Sequence, residues 1–222
     1  IPDMANRAIK VIDLNGNCVK SKNLTKDIPA GFVMNTGTGN RPATRITNLP
    51  EGITVGSKYT YVLRTGGHGF MSIHNTSDLS RVKVFQDINR LWFGWNIDLN
   101  SSEDALVVSN LYSGQRYSGW VSGRTPAVKY NVSGSTLTFS TTVGTYGSSS
   151  TNGNAYNATG VAFDSNDNIY VTDAWMSRIQ KFNSSGTYQA KTGSRSIGNP
   201  FWYPYGITVD SSDNIYAADY GN

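Results

Sequence analysis

The chain has 222 residues, enough for one domain with a sizeable core, and only 15% of them are charged. Glycine, serine, threonine and asparagine are abundant and the 13 tyrosines outnumber the 8 phenylalanines, a composition that favours short strands and tight turns over helices. The formal net charge of +4 arises without any basic run, so we expect no nucleic-acid partner. No apolar run approaches the ~20 residues that a membrane span needs, so we expect no membrane insertion.

Alternating apolar and polar residues predict short antiparallel strands in most of the chain. In chain order, two strands are predicted within 5–22, four within 50–86, four within 92–144, four within 158–193 and two within 204–222. The largest insertion is the loop 110–126.

A repeat organises the C-terminal third of the chain. Residues 159–173 recur as 205–219 with a constant offset of 46, and each copy predicts a hairpin around an Asp/Ser/Asn turn. The first copy is followed by a third strand at 178–182, a turn and a fourth strand at 187–191. Four strands per repeat are typical of a propeller blade.

Over residues 158–222 the sequence resembles the NHL repeat family. The family pattern P-x-G-I-x-V-D, then N-I-Y-V-x-D, then R-I-Q-x-F and a closing glycine matches here nearly residue for residue. The resemblance implies an all-β fold, a β-propeller of NHL-like four-stranded blades in one domain over 1–222. We expect four blades, at 50–86, 92–144, 158–193 and 204–222 plus 5–22. The N-terminal strands would close the last blade and leave no unpaired sheet edge.

In a propeller, the loops after the second and fourth strands of each blade lie on one face. That face is predicted to collect aromatic side chains and an arginine, the composition of a recognition surface for protein or carbohydrate. The candidate ligand-binding residues are Trp92, Arg116, Tyr117, Trp120, Trp175, Trp202, Tyr203 and Tyr205. The alternative is that these rings wedge between blades and fill the centre.

Evidence for a metal or a catalytic site is weak. Asp164, Asn166 and Asn168 have the i, i+2, i+4 oxygen spacing of a calcium loop, but the glycine and the distal glutamate of that loop are missing, and turn residues that bond their own backbone are the favoured explanation. His68 and His74 are the only imidazoles, too few for a zinc site, and no Gly-x-Ser-x-Gly motif occurs. NHL-like relatives include a peptide-amidating lyase with a His-rich metal site, whose ligands this chain lacks. We expect no cofactor and no enzyme activity, with a metal-dependent lyase or lactonase as the alternative.

Six Asn-x-Ser/Thr sequons occur, at Asn23, Asn75, Asn100, Asn131, Asn157 and Asn183. They are consistent with a glycoprotein located outside the cell or on its surface, although turn composition alone also favours Asn-Ser-Gly. The expected function is an extracellular binding or structural module with a protein or carbohydrate partner. A self-assembling subunit of an extracellular filament or tandem-repeat protein is the alternative.

Overall fold

The computed structural model describes residues 2–3, 8–24, 33–35, 40–42, 49–65, 70–87, 90–91, 94–111, 125–147 and 150–221. These residues form 21 strands and no helix, and accordingly none of their segments is a helix able to cross a membrane. The chain divides into two compact units, residues 1–94 and 95–222.

The first unit contains three antiparallel sheets. The N-terminal sheet has the order β1-β2-β3, with β1 at Pro2–Asp3, β2 at Ala8–Ile12 and β3 at Cys18–Asn23. A short hairpin follows, with β4 at Val33–Asn35 and β5 at Asn40–Pro42. The four-stranded sheet consists of β6 at Leu49–Val55, β7 at Tyr59–Thr65, β8 at Phe70–Asn75 and β9 at Arg81–Gln86. Ile9, Leu24, Val62 and Leu79 form a buried cluster of this unit.

The second unit contains two four-stranded sheets. The first consists of β10 at Gly94–Leu99, β11 at Ala105–Asn110, β12 at Ala127–Ser133 and β13 at Thr136–Val143. A parallel pair follows, with β14 at Thr145–Tyr146 and β15 at Asn154–Ala155. The second sheet consists of β16 at Ala158–Phe163, β17 at Ile169–Asp173, β18 at Arg178–Phe182 and β19 at Tyr188–Gly193. The hairpin of β20 at Pro204–Val209 and β21 at Ile215–Asp219 completes the unit.

The core of the second unit lies between its two four-stranded sheets. Val107 and Val143 from the first pack with Val161, Val171 and Phe182 from the second. Both sheets pair consecutive strands antiparallel, as does β6-β7-β8-β9. The prediction of an all-β chain built from four-stranded blades is therefore confirmed.

A similar side-chain acceptor closes five of the hairpin turns. The Oδ1 atom of Asp164 accepts hydrogen bonds from the backbone N–H groups of Asn166 and Asn168, at 3.0 and 2.9 Å. Asp13, Asn183 and Asp210 likewise accept the N–H groups two and four residues on. Asn100 accepts those of Asp104 and Ala105, four and five residues on. Because this chemistry is local, the turns follow directly from the sequence.

The hairpin β2-β3 has the geometry of a third-and-fourth-strand hairpin. Its register pairs Ile12 with Cys18 after a bulge, as β18-β19 pairs Phe182 with Tyr188 after a bulge. Gly16 and Gly186 occupy the same turn position, with φ angles of 85° and 81°. The N-terminal strands thus have the predicted type.

Ring closure through these strands stays a prediction, as do the blade count of four and the single domain. Among the described residues, β20 and β21 form a two-stranded sheet. The short strand β1 pairs with Ala8 and Ile9 of β2, on the edge of β2 that closure would use.

We expect Gly160→Ala to destabilise the protein. A Cβ atom at this position would lie 2.6 Å from the carbonyl oxygen of Tyr205 and 2.9 Å from Oγ1 of Thr172. Overpacking of this kind costs about 1–3 kcal/mol, which lowers the melting temperature of a chain this long by about 2–4 °C per kcal/mol. Gly206→Ala, the variant at the matching position of the next repeat, is the control because its Cβ would come no closer than 3.7 Å to its neighbours. Equal melting temperatures for the two variants would contradict this account.

Candidate binding surface

Five aromatic rings of the second unit form a continuous series. Neighbouring ring centroids lie 5.6 Å apart for Tyr146 and Tyr156, 5.8 Å for Tyr156 and Trp175, 6.4 Å for Trp175 and Tyr203, and 6.0 Å for Tyr203 and Trp202. The guanidinium carbon of the exposed Arg195 lies 4.8 Å from the ring centroid of Trp175, in cation–π contact. We call this set the aromatic surface: Tyr146, Tyr156, Trp175, Arg195, Trp202 and Tyr203.

The aromatic surface is accessible to a partner. Trp175 is 39% exposed and Trp202 54% exposed, whereas Tyr156 and Tyr203 are partly buried. Of the candidate rings for which wedging between blades was the alternative, Tyr203 is partly buried, whereas Trp175 and Trp202 are substantially exposed.

A buried ion pair anchors one half of this surface. Arg178 and Asp173, whose side chains are 1% and 0% exposed, approach to 3.2 Å between Nη2 and Oδ2. Oδ1 of Asp173 accepts the backbone N–H groups of Tyr156 and Asn157, at 3.3 and 3.2 Å. Burial raises the pKa of Asp173, although the charge of Arg178 and these hydrogen bonds act to lower it.

Arg178 extends the anchor into the loop before β16. Its Nη1 donates to the carbonyl oxygen of Ser150 at 3.1 Å, and Gln180 Nε2 donates to that of Asn154 at 2.7 Å. The loop that carries Tyr156 is thus fixed by side chains of β17 and β18.

The next repeat contains the carboxylate part of this anchor. Asp219, which follows Asp173 by the repeat offset, accepts the backbone N–H of Trp202 at 2.9 and 3.0 Å through its two carboxylate oxygens. The N–H of Tyr220 donates to the carbonyl oxygen of Tyr203 at 3.2 Å, as that of Ala174 donates to Asn157 at 3.0 Å. Tyr156 and Trp202 are therefore equivalent residues held in equivalent ways.

Two further features fix the loop between β19 and β20. Asn199 Nδ2 donates to the carbonyl oxygen of Ser177 at 2.8 Å, which ties this loop to the turn that carries Trp175. Tyr203 has a φ of 60°, a left-handed conformation that is uncommon for a residue other than glycine. Such conformations persist where surrounding contacts enforce them, and they occur often at functional sites.

The structure brings three of the predicted binding residues together: Trp175, Trp202 and Tyr203. Tyr205 lies apart from them in a pair with Tyr220, at 5.4 Å between ring centroids. The other four candidates, Trp92, Arg116, Tyr117 and Trp120, lie outside the described residues.

Sequence reasoning missed Tyr146, Tyr156 and Arg195. The repeat offset was a usable signal for Tyr156, because it precedes Trp202 by 46 residues. No comparable signal exists for Tyr146 and Arg195, whose contacts come from loop conformation.

Residues 156–182 match the family model of the NHL repeat. This chain carries an NHL repeat. The match covers the end of the loop before β16, the strands β16 and β17 and the whole of β18, and it confirms the family resemblance of the sequence. No curated protein sequence matches the chain.

Solved structures share the fold of this NHL-repeat chain at low sequence identity. One is a functionally unknown protein from Desulfotomaculum acetoxidans DSM 771, with 8% identity and a TM-score of 0.55 over 77% of this chain and 49% of that chain. A structure of the nidogen/laminin complex has 13% identity and a TM-score of 0.55 over 82% and 59%. The β-propeller domain of Myceliophteria thermophila Cps50 (Swd1) has 10% identity and a TM-score of 0.56 over 78% and 52%.

These likenesses show a β-propeller fold. The chain spans about half to three fifths of the length of these three structures.

The three calcium candidates, Asp164, Asn166 and Asn168, form hydrogen bonds within the turn between β16 and β17. Besides the two backbone bonds of Asp164, its Oδ2 accepts from Asn168 Nδ2 at 2.9 Å, Tyr170 Oη at 3.2 Å and Lys181 Nζ at 3.2 Å. The side chain of Asn166 donates to Ser165 Oγ at 3.4 Å. These donors, one of them a cation, use the carboxylate oxygens that a calcium ion would need. The described residues contain no group of three or more His, Cys, Asp or Glu side chains that could hold a metal ion.

Of the two histidines, His74 is fully buried in the first unit. Its Nε2 lies 2.9 Å from Ser72 Oγ and its Nδ1 lies 3.1 Å from the carbonyl oxygen of Leu79. Arg64 Nε donates to the same Ser72 hydroxyl at 3.0 Å. His74 is therefore part of a core hydrogen-bond network, and His68 lies outside the described residues.

The sequons differ in accessibility. Asn23 and Asn131 are exposed, whereas Asn75, Asn157 and Asn183 are partly buried. Asn100 is 2% exposed, and its Nδ2 donates to Asp104 at 2.8 Å and to Asp167 at 2.9 Å. A glycan on this nitrogen would replace one of its two hydrogens and break at least one of these bonds, and the buried side chain has no room for a sugar, so the structure argues against glycosylation of Asn100.

We expect the carboxyl of Asp210, the counterpart of Asp164, to titrate at a low pH. Hydrogen bonds from the side chain and then the backbone of Asn214 lower the pKa of Asp210 to about 2. Because this pKa is lower than in the unfolded chain, the turn is stabilised above pH 4 and loses this stabilisation as the pH falls towards 2. Asn214→Ala should move the titration midpoint upwards, as measured by carboxyl ¹³C NMR. The midpoint of Asp164 in the same sample is the control, and an unchanged Asp210 midpoint would refute the assignment.

Proposed function

We propose that this chain is a protein-binding module and that the aromatic surface is its contact site. The observation that carries the proposal is the series of five adjoining rings in which Trp175 and Trp202 are exposed. The carboxylates of Asp173 and Asp219 hold the backbone of the loops at Asn157 and Trp202. Preorganised loops lose less conformational entropy on binding than mobile ones.

The composition of these loops supports a protein partner. Tyrosine and tryptophan with serine, glycine and asparagine predominate in residues 145–157 and 194–205. The first range has no charged residue, and the second has only Arg195. Binding loops of antibodies use this combination, because aromatic side chains supply contact area at low entropic cost while small polar residues supply hydrogen bonds. Trp, Tyr and Arg are also the residue types that dominate binding energy at interfaces.

The similar fold in the nidogen/laminin complex adds support, since that structure is a complex between proteins. Its sequence identity of 13% relates the folds alone. A carbohydrate partner, which aromatic rings also suit, is the competing hypothesis.

Peptide selection with two tryptophan variants tests the proposal. A phage-displayed peptide library is selected on the wild-type protein, and the affinities of enriched peptides are measured by biolayer interferometry. Trp175→Ala and Trp202→Ala should each weaken binding at least about tenfold, which corresponds to about 1.4 kcal/mol. Their melting temperatures should change little, because both side chains are substantially exposed.

Tyr220→Ala is the matched control, since this ring is 83% exposed and lies outside the aromatic surface. Unchanged affinity in both tryptophan variants would refute the proposal. A glycan-array ligand that depends on these tryptophans, without any peptide ligand, would replace it with a carbohydrate-binding function.

An extracellular location is part of the proposal, and the exposed sequons support it. We expect the protein secreted from eukaryotic cells to carry a glycan at Asn131 and none at Asn100, because only the first side chain is accessible. Peptide mapping by mass spectrometry before and after enzymatic deglycosylation measures both sites, and Asn131→Gln is the control. A glycan at Asn100, or bare asparagine at Asn131, would contradict this expectation.

A further inference from the structure

The aromatic surface contains one charged side chain, that of Arg195. This arginine is exposed, and its guanidinium carbon lies 4.8 Å from the ring centroid of Trp175. Within the part of the chain that the structure describes, Arg195 forms this cation–π contact and neither a hydrogen bond nor an ion pair. The N–H donors of its guanidinium are therefore accessible to a partner.

The contact with Trp175 leaves the anion-binding part of the guanidinium unused. The N–H donors of arginine lie in the plane of the group, whereas the ring contact uses one of its faces. A guanidinium can therefore stack on an indole and still bind a carboxylate through paired hydrogen bonds at its edge. Because the indole replaces water on one side, a carboxylate bound there interacts more strongly than it would at a fully hydrated arginine.

The indole of Trp175 is held by a complete blade. Trp175 lies in the turn between β17 and β18 of the sheet β16-β17-β18-β19. The side chain of Asn199 donates to the carbonyl oxygen of Ser177 in this turn at 2.8 Å, which ties the turn to the loop that carries Arg195. The stacked pair therefore bridges two segments that are fixed to each other.

The exposed charge around this pair is positive. Residues 145–157, 174–177 and 194–205 contain no acidic residue. The two carboxylates at the base of these loops are engaged, since Asp173 is buried in its ion pair with Arg178 and Asp219 accepts the backbone N–H of Trp202. A second exposed cation, Lys191, donates from Nζ to the carbonyl oxygen of Ser150 at 3.5 Å.

We propose that the partner of the aromatic surface is an acidic peptide segment. An aspartate or glutamate of this segment pairs with Arg195, and a neighbouring aromatic or apolar side chain packs on Trp175 and Tyr156. This inference rests on the proposed function and adds the chemistry of the partner. Complementary charge of this kind steers association and disfavours partners of the wrong sign, which here are basic segments.

A peptide fits this surface better than a sulfated polysaccharide. Patches that bind heparin are typically rich in lysine and arginine over about 5–8 residues. Residues 194–205 contain one cation, Arg195, among aromatic and small polar residues. Such a surface offers mainly ring area, which the side chains of a peptide can cover.

The experiment is a parallel peptide selection. A phage-displayed library of random linear peptides is selected on the wild-type chain, on Arg195→Gln and on Arg195→Glu. Compared with the unselected library, peptides from the wild type should be enriched in aspartate and glutamate. This enrichment should disappear on Arg195→Gln, and Arg195→Glu should enrich lysine and arginine. Enrichment of aromatic residues should persist in all three selections, because the rings are unchanged.

Affinities of the most enriched wild-type peptide make the test quantitative. Arg195→Gln should weaken binding at least about tenfold, which corresponds to about 1.4 kcal/mol. Replacing the acidic residues of the peptide with their amides should weaken it similarly, and the two losses should not add, since one interaction is removed in both cases. Lys58→Gln is the matched control, because Lys58 is an exposed cation 5.3 Å from the ring centroid of Tyr59 in the first unit. Melting temperatures confirm that the variants are folded.

The outcomes separate this inference from the proposed function. Peptides that require Trp175 but show no acidic enrichment would overturn the inference and leave protein binding in place. Acidic enrichment that persists on Arg195→Gln would overturn the assignment to Arg195. Peptides that bind equally without Trp175 and Trp202 would refute the proposed function, and this inference with it. Heparin binding that depends on Arg195, without any peptide ligand, would replace the peptide with a sulfated polysaccharide.

Discussion

The buried ion pair between Asp173 and Arg178 is the interaction on which the second unit most depends. It joins the end of β17 to the start of β18, and its remaining hydrogen-bonding capacity holds the backbone of the loop before β16. Removal of one partner from such a pair leaves a buried charge uncompensated, typically at a cost of about 3–5 kcal/mol. Blade geometry and loop position therefore depend on the same two side chains.

In each blade, the residues that stabilise the fold differ from the residues that the loops expose. Apolar side chains such as Val107 and Phe182 pack one sheet on the next, and the Asp or Asn turns close the hairpins without help from the core. The carboxylates at the ends of β17 and β21 then fix the loops on the other face. Trp175 and Trp202 do not belong to the core cluster, so the core does not require an aromatic residue at these positions.

Most of the strands were predictable from the sequence, because alternation and turn chemistry act over a few residues. The hairpins at 159–173 and 205–219 and the three four-stranded sheets follow from such signals. The strands β1, β4, β5, β14 and β15 were not predicted, since strands of two or three residues have no detectable periodicity. For the site, Trp175, Trp202 and Tyr203 were anticipated, but Arg195 was not, because its position over Trp175 depends on how an irregular loop folds. The burial of Asn100 could not be predicted from the sequence either, because a sequon does not show whether its asparagine side chain points to solvent or to the interior.

The carboxylates of Asp173 and Asp219 bind main-chain N–H groups of the loops. Any residue except proline can supply such a group, so the anchor does not constrain which side chain stands at position 156 or 202. Evolution can therefore exchange the displayed residues one at a time while the scaffold keeps its shape. The same property would let an engineer vary these positions in a library without redesigning the blades.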